Sequence, residues 1–254
     1  MSEPELKAGE SIEDLQYKGL RIIQNESGFR FGTDSVLLAG FVKASKKDRV
    51  IDLGTGTGVL AILIKGRTGA EMTAVELQPE QCDMAARSFE MNGQDIKLIE
   101  GDMRELSKST GTGAFDIAVC NPPYYSAEAG KLSNKGSGIY ISSATHEIFC
   151  DFGSVAKCAF ELLKFGGKLF MCCPAQRLAE VITGLITNKL EPKRMMTVAS
   201  VEGKPPYLVM IEAKKGASPG LIWERQLNVC NKDGTYTEET NRIYHRNEYE
   251  QTDE

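Results

Sequence analysis

The feature that most constrains the fold is an alternation of strand-like and helix-like runs that begins at residue 49. Its first unit is RVIDLGTGTG, a buried strand that runs into a glycine loop, and the next is VLAILIKGR, a short apolar helix. The runs AEMTAVELQ, IKLIEGD, FDIAVCN and KLFMCCP follow as further strands, with helical segments among them. Such alternation predicts a mainly parallel sheet with helices on both faces and right-handed crossovers.

The alternation ends at EPKRMMTVASVEGKPPYLVMIEAKK, where two β-rich runs are separated by a turn. This pattern predicts an antiparallel hairpin at the end of an α/β fold. We expect one domain over residues 15–245, with a flexible tail before it at 1–14 and an acidic tail after it at 246–254. Its parts are an N-terminal segment at 15–48, a core at 49–215 and a β-like appendix at 216–245.

Composition narrows the class of protein. The chain has 254 residues and is 41% hydrophobic, which suits one large domain. No run approaches the ~18 apolar residues of a membrane span, and the acidic, polar start is unlike a targeting signal. Seven cysteines without a C-x-x-C pair, and only two histidines, favour neither disulfides nor a metal site. These features predict a cytoplasmic protein with reduced thiols and no metal.

The net charge is −5 and the isoelectric point is about 5.4. An acidic balance argues against a wide nucleic-acid surface, since neutralisation of phosphates by Lys and Arg dominates such binding. Residues 43–49 and 189–194 are the two candidates for a smaller basic patch. Solvated surface charge is the simpler interpretation of each.

The glycine loop Asp52-Leu-Gly54-Thr-Gly56-Thr-Gly58 lies where the first strand of the alternation ends. In a parallel α/β sheet, ligands bind beyond the carboxyl ends of the strands, and glycines let the backbone approach them closely. The G-x-G-x-G spacing, with Val59 next, fits neither a dinucleotide fingerprint nor a phosphate-binding P-loop. We therefore expect a nucleoside ligand without a phosphate bridge.

Two acids follow at the ends of the next strands. A carboxylate at Glu76 would accept hydrogen bonds from two ribose hydroxyls. Asp102, or the backbone beside it, would meet an adenine amino group. Each acid alone reads as a surface residue, but both at successive strand ends behind the glycine loop form a coherent set.

DLGTGTG, Glu76, the GD pair at 101–102 and NPPY at 121–124 together resemble the S-adenosylmethionine-dependent methyltransferases of the seven-stranded class. The resemblance in order and spacing spans roughly residues 30 to 215. It implies S-adenosyl-L-methionine as the cofactor. It also implies a seven-stranded Rossmann-like methyltransferase sheet whose last strand is inserted antiparallel.

The stretch DIAVCNPPYYSAE places Asn121, Pro122 and Pro123 directly after a strand. The prolines end the ladder because they have no backbone N–H, so a rigid strand exit is the plain interpretation. In the methyltransferase interpretation, Asn121 Oδ1 and the Pro122 carbonyl accept the N–H groups of a planar amine and position it for attack. Tyr124 then offers its ring for base stacking.

A narrower resemblance covers about residues 15 to 245. GFRFGTDSVLLAGFV, ATHEIFCDF and the closing DGTYTEETNRIY look like the bacterial family that N6-methylates an anticodon-loop adenosine of valine tRNA. This implies a tRNA partner and a segment at 15–48 that covers the cofactor. The cofactor-binding set implied in full is Phe31, Gly32, Thr33, Asp34, Asp52, Gly54, Gly56, Gly58, Glu76, Asp102 and Asn121. Helix capping and core packing remain the alternative for Thr33 and Asp34.

Other functions remain open at this point. NPPY also occurs in methyltransferases of rRNA and of protein glutamine, and a non-catalytic module that binds S-adenosylmethionine or RNA is a third class. The intact pairing of NPPY with the glycine loop favours an enzyme. We expect a monomer or weak dimer, and His146 and Glu147 have no role that the sequence alone assigns.

Overall fold

The computed structural model describes residues 4–26, 32–122 and 152–244. Its strands are β1 Glu10–Asp14, β2 Arg21–Asn25, β3 Arg49–Leu53, β4 Glu71–Glu76, β5 Ile96–Glu100, β6 Phe115–Cys120, β7 Leu163–Pro174, β8 Leu190–Val201, β9 Leu208–Lys215, β10 Ile222–Trp223 and β11 Leu227–Cys230. Its helices are α1 Thr33–Phe41, α2 Val59–Thr68, α3 Pro79–Met91, α4 Leu106–Thr110, α5 Phe152–Leu162, α6 Leu178–Thr187 and α7 Glu238–Ile243.

The main sheet has the strand order β10-β8-β9-β7-β6-β3-β4-β5, and β11 also pairs with β8. Strand β9 runs antiparallel to both of its neighbours, β7 and β8. The other neighbouring strands pair in parallel. The α/β prediction and the antiparallel hairpin are therefore confirmed. Two short strands extend the predicted set of seven along the β8 edge.

Apolar clusters cover both faces of this sheet. One cluster includes the buried residues of α1 and α2, and the other includes those of α4, α5 and α6. Successive residues of β6 divide between them, since Val119 joins the first cluster and Ala118 the second, and both are fully buried. A strand buried on both faces reads as a continuous apolar run, which is why the core strands are visible in the sequence.

The N-terminal tail predicted over 1–14 is wrong for its last five residues. Glu10–Asp14 form β1, which pairs antiparallel with β2. The Arg87 guanidinium of α3 donates to both carboxylate oxygens of Glu10, at 2.7 and 2.9 Å. Ile12 packs beside Ile23 and Met84. This strand depends on distant partners, so its acidic local composition gave no sign of it.

The appendix at 216–245 is only partly β-like. After β10 and β11 it ends in α7, whose start is capped by the Thr237 hydroxyl accepting from Thr240 N–H. Helix α7 packs on α1 so closely that a Cβ on Gly40 would lie 2.8 Å from Ile243 Cγ2. Arg67 of α2 also donates to the Ile243 carbonyl. The end of the described chain therefore lies against the helix that precedes the glycine loop.

Arg194 links the appendix to the same helix from inside the sheet. Its guanidinium donates to Glu212 Oε2 at 2.8 Å and to Glu224 Oε1 at 3.0 Å. It also donates to the carbonyl of Phe41, the last residue of α1, at 2.8 Å, and lies 3.8 Å from the centre of the Phe41 ring. Arg194 and Glu212 are both buried, so the charges are paired where water is excluded.

Both candidate basic segments lie at the amino ends of their strands, and the glycine loop lies at the opposite, carboxyl end of β3. Residues 43–49 lead into the start of β3. Residues 190–194 are the first five residues of β8, a strand that runs in the same direction as β3. None of the helices in the described ranges has the length and apolar character of a membrane span. Within the same ranges, no three His, Cys, Asp or Glu side chains are grouped to hold a metal ion.

Candidate functional site

The glycine loop joins the end of β3 to the start of α2. Gly54, Gly56 and Gly58 have φ angles of +71°, +59° and +98°, a region that favours glycine. A Cβ on Gly58 would lie 2.5 Å from Phe89 Cε1, so α3 packs directly on the loop. Gly58 thus has both a conformational and a packing requirement, as the sequence spacing implies.

Glu76, at the end of β4, holds the glycine loop in place. Its Oε2 accepts from Gly56 N–H at 2.9 Å, and its Oε1 accepts from Leu77 N–H and Gln78 N–H, each at 2.9 Å. From the sequence, only a ribose contact is expected for this residue. Each carboxylate oxygen can accept more than one hydrogen bond, so loop anchoring and ribose binding are compatible.

Asp52 is fully buried at the end of β3. Thr55 Oγ1 donates to its Oδ2 at 2.6 Å, whereas its Oδ1 has no hydrogen-bond partner among the described residues. Burial raises the pKa of this carboxyl from 3.8 to about 7; the Thr55 hydrogen bond opposes the rise and the charge of Glu76 adds to it. A buried acid with an unused oxygen is a candidate contact for a cationic or donor-bearing ligand.

Two more buried acceptors near the loop lack partners among the described residues, Gln81 Oε1 and Gln24 Oε1. Gln81 lies over Gly56, where a Cβ would be 3.2 Å from its Oε1, and Gln24 Nε2 is 3.5 Å from Thr57 Oγ1. Buried acceptors without partners are rare in native proteins and call for an explanation. A nucleoside ligand with several N–H and O–H donors would supply the missing hydrogen bonds.

Asn121 lies one residue beyond β6 and lines the same cleft as the glycine loop. The cleft is open to solvent. Asn121 Nδ2 donates to Ser35 Oγ at 2.9 Å, and the Cys172 thiol donates to Asn121 Oδ1 at 3.1 Å. Pro122 follows and is buried. The cleft-lining residues are Ser35, Gly54, Thr55, Gly56, Thr57, Val59, Leu60 and Asn121.

The start of α1 differs from the sequence expectation. Gly32 is the N-cap residue and no side chain caps the helix, so the prediction of a cap at Thr33 or Asp34 is wrong. Burial raises the pKa of the Asp34 carboxyl. Among the described residues of this segment, Ser35 is the one that lines the cleft. Sequence reasoning missed it, because a serine inside an apolar helix carries no signal of its own.

Asp102 follows β5 at the same edge of the sheet, but its carboxylate is engaged by Arg104. Its Oδ1 accepts from Arg104 N–H at 2.9 Å, and the guanidinium, which donates to both oxygens, lowers its pKa. The backbone beside it is joined to β4, since Gly101 N–H donates to the Glu76 carbonyl at 2.8 Å. An adenine contact by Asp102 stays a prediction. Phe31, Tyr124, His146 and Glu147 lie outside the described residues.

The raised pKa of Asp52 predicts a pH dependence of stability. The pKa of Asp52 is about 7 in the folded state and 3.8 at its ordinary value. Between pH 3.8 and pH 7 the native state therefore binds one proton more than the unfolded state. The contribution of protonated Asp52 to the stability of the folded state is complete below about pH 4 and is lost as the pH rises through about 7. Asp52→Asn removes this titration. Between pH 5 and 8, the unfolding free energy of the wild type should fall relative to that of Asp52→Asn by roughly 3 kcal/mol.

Urea unfolding of both proteins without cofactor at pH 5, 6, 7 and 8 measures this difference. Asp233→Asn is a control, because that carboxyl is exposed and its pKa is lowered rather than raised. A wild-type minus Asp52→Asn difference that stays constant with pH would refute the assignment.

Comparison with known proteins adds family evidence to this geometry. Residues 27–139 match the family model of the methyltransferase small domain. The chain is 27% identical over 243 residues to a tRNA1(Val) (adenine(37)-N6)-methyltransferase of Vibrio parahaemolyticus, which covers 94% of this chain and 98% of that protein. It is 25% identical over 199 residues to the enzyme of the same name from Bacteroides fragilis, covering 78% and 82%.

Among solved structures, the fold is similar to that of a predicted O-methyltransferase from Agrobacterium tumefaciens, with a TM-score of 0.68. The two are 20% identical, and the match covers 84% of this chain and 95% of the other. At that identity the likeness concerns the fold, which it places among Rossmann-like methyltransferase sheets.

Proposed function

The chain belongs to the S-adenosylmethionine-dependent methyltransferases, and on that premise we propose that it methylates N6 of an adenosine in tRNA. The proposed nucleotide is the anticodon-loop adenosine 37 of tRNA1(Val), the target for which its relatives are named. Those relatives align with most of this chain, at modest identity. The observation that carries the chemistry is the position of Asn121 in the cleft formed by the glycine loop.

The residues around the loop fit the cofactor. Asp52 Oδ1 and Gln81 Oε1, buried and without partners among the described residues, would accept its N–H or O–H donors. Glu76, already bonded to Gly56, would accept a ribose hydroxyl through its remaining capacity. Bound there, the cofactor supplies an electrophilic methyl group on a sulfonium. The glycine backbone allows the close approach that this ligand requires.

Asn121 and Pro122 would act on the methyl acceptor. An exocyclic amine of adenine is planar because its lone pair is conjugated with the ring. The Asn121 Oδ1 and the Pro122 carbonyl would accept its two N–H groups, turning the lone pair towards the methyl group. The amine nitrogen would form the new N–C bond as the bond between the methyl group and the sulfonium sulfur breaks, leaving a neutral thioether, and it would then lose one proton to water. This is catalysis by positioning, and it needs no side chain of unusual basicity.

The proposal is tested by transfer of labelled methyl from S-adenosylmethionine to bulk tRNA, followed by nucleoside analysis. We expect the label in N6-methyladenosine. A tRNA1(Val) transcript with guanosine in place of adenosine 37 should accept none. Label that appears only in rRNA, or in a protein glutamine, would refute the tRNA proposal while leaving the methyltransferase assignment intact.

Two further proposals concern the cellular compartment and the oligomeric state of the enzyme. We propose a cytoplasmic enzyme, because its seven cysteines include no C-x-x-C pair and most of them lie in apolar runs, as expected of buried thiols in a reducing compartment. We also propose that it works as a monomer or weak dimer, which sedimentation velocity across a range of concentrations would measure.

A further inference from the structure

We infer that Ser35 and Cys172 are positioning residues that set the orientation of the Asn121 carboxamide. The inference rests on the proposed function in one respect, which is that Asn121 Oδ1 must face the acceptor amine. Neither residue is among the site residues that the sequence analysis predicts. Both reach Asn121 only through the fold.

The two contacts hold opposite ends of one amide group. Ser35 on α1 accepts from Nδ2 at 2.9 Å, and Cys172 on β7 donates its thiol hydrogen to Oδ1 at 3.1 Å. Ser35 is 1% exposed and Cys172 is fully buried. Partners from two different elements therefore restrict rotation of the amide.

The chemistry of these partners selects one of two amide orientations. A thiol is a weak donor and a weak acceptor, so the carbonyl oxygen, the better hydrogen-bonding partner for S–H, is favoured opposite Cys172. A hydroxyl accepts equally well from the NH₂ end. Rotation by 180° would bring the NH₂ group against the N–H groups of the substrate amine, two donors facing each other. An amide oxygen can accept two hydrogen bonds, so the thiol contact is compatible with one from the substrate.

Strand β7 also supplies a matched control. Cys172 and Cys173 are consecutive and both fully buried, but side chains alternate along a strand. Cys172 belongs to the cluster on the α1 face, and Cys173 belongs to the cluster on the opposite face. Loss of either thiol leaves a similar cavity, yet only Cys172 touches Asn121. A general packing defect would affect both variants alike.

The kinetic test compares single-turnover methyl transfer with cofactor affinity. Ser35→Ala and Cys172→Ala should each lower the transfer rate about three- to tenfold. Binding of S-adenosylhomocysteine, measured by calorimetry, should change by less than about threefold. Ser35→Thr keeps the hydroxyl and Cys172→Ser replaces the thiol with a hydroxyl that can also donate, so both should recover most of the rate. Cys173→Ala should keep the wild-type rate. Equal loss in Cys173→Ala, or no recovery with the hydroxyl variants, would overturn the inference.

A second readout does not depend on the methyl acceptor. In ¹⁵N-labelled protein with S-adenosylhomocysteine, the side-chain amide signals of Asn121 can be identified by their absence in Asn121→Ala. We expect both Nδ2 proton signals to shift in Ser35→Ala and Cys172→Ala, and to stay in place in Cys173→Ala. Unchanged signals in the first two variants would overturn the inference. If the two variants show these shifts but the wild-type protein methylates no tRNA, the result would count against the proposed substrate alone.

Discussion

Replacement of Asn121 with alanine is expected to lower the rate of methyl transfer by at least about a hundredfold, while the cofactor still binds. The side chain offers an acceptor oxygen, and its amide group is held from two sides by Ser35 and Cys172. Without it, the substrate amine keeps its conjugated geometry and its lone pair is not directed. The cofactor contacts proposed for Asp52 and Glu76 come from β3 and β4 and should stay in place.

Single-turnover transfer and calorimetric titration with S-adenosylhomocysteine measure the two quantities separately. Asn121→Asp serves as the conservative variant, because a carboxylate keeps acceptor oxygens at the same position and should restore part of the rate. Turnover by Asn121→Ala at the wild-type rate would exclude the proposed mechanism. Equal loss of rate and of cofactor affinity would assign Asn121 to cofactor binding instead.

Replacement of Glu76 with glutamine should raise the dissociation constant of the cofactor by roughly 10- to 100-fold. Both carboxylate oxygens accept backbone N–H groups, from Gly56 on one side and from Leu77 and Gln78 on the other. An amide nitrogen in either position would place a donor against a donor. The glycine loop would then lose its anchor at Gly56, and the ribose would lose a charged acceptor.

Calorimetry with S-adenosylmethionine, supported by a thermal unfolding scan, measures this effect. Glu71→Gln is a suitable control, since Glu71 is at the other end of the same strand and forms an exposed ion pair with Arg49. Its affinity for the cofactor should equal that of the wild type. Glu76→Gln with wild-type affinity would show that the loop keeps its shape without the carboxylate.

The parts of the fold that could be predicted are those encoded in short stretches of sequence. Strands β3 to β7 are apolar runs, and α3 begins at Pro79 and ends before Asn92-Gly93, so local patterns were enough. Strand β1 could not be predicted, because it has a single apolar residue, Ile12, and depends on Arg87. The same holds for α7, six mostly polar residues stabilised by a cap and by packing on α1.

The residues of the site also divide into those that the sequence predicts and those that only the structure identifies. Asp52, Glu76 and Asn121 lie at strand ends, and in a parallel sheet those ends meet at one edge, so the motifs alone predict that they converge. Ser35 and Cys172 could not be found in this way, since a buried serine and a buried cysteine in apolar runs are typical of a core. Their significance depends on contacts with Asn121 across 86 and 51 residues of sequence.

The contacts of α1 with residues much later in the sequence also affect when this helix can complete its packing during synthesis. This helix leaves the ribosome early, yet its partners Arg194 and Ile243 follow roughly 150 to 200 residues later. At about 5–20 residues per second, the interval is on the order of ten seconds or more. During that time the nascent helix exposes apolar surface that chaperones can recognise. Since Ser35 lies on this helix, the element that holds one end of the Asn121 amide gains these contacts only after Ile243 has been synthesised.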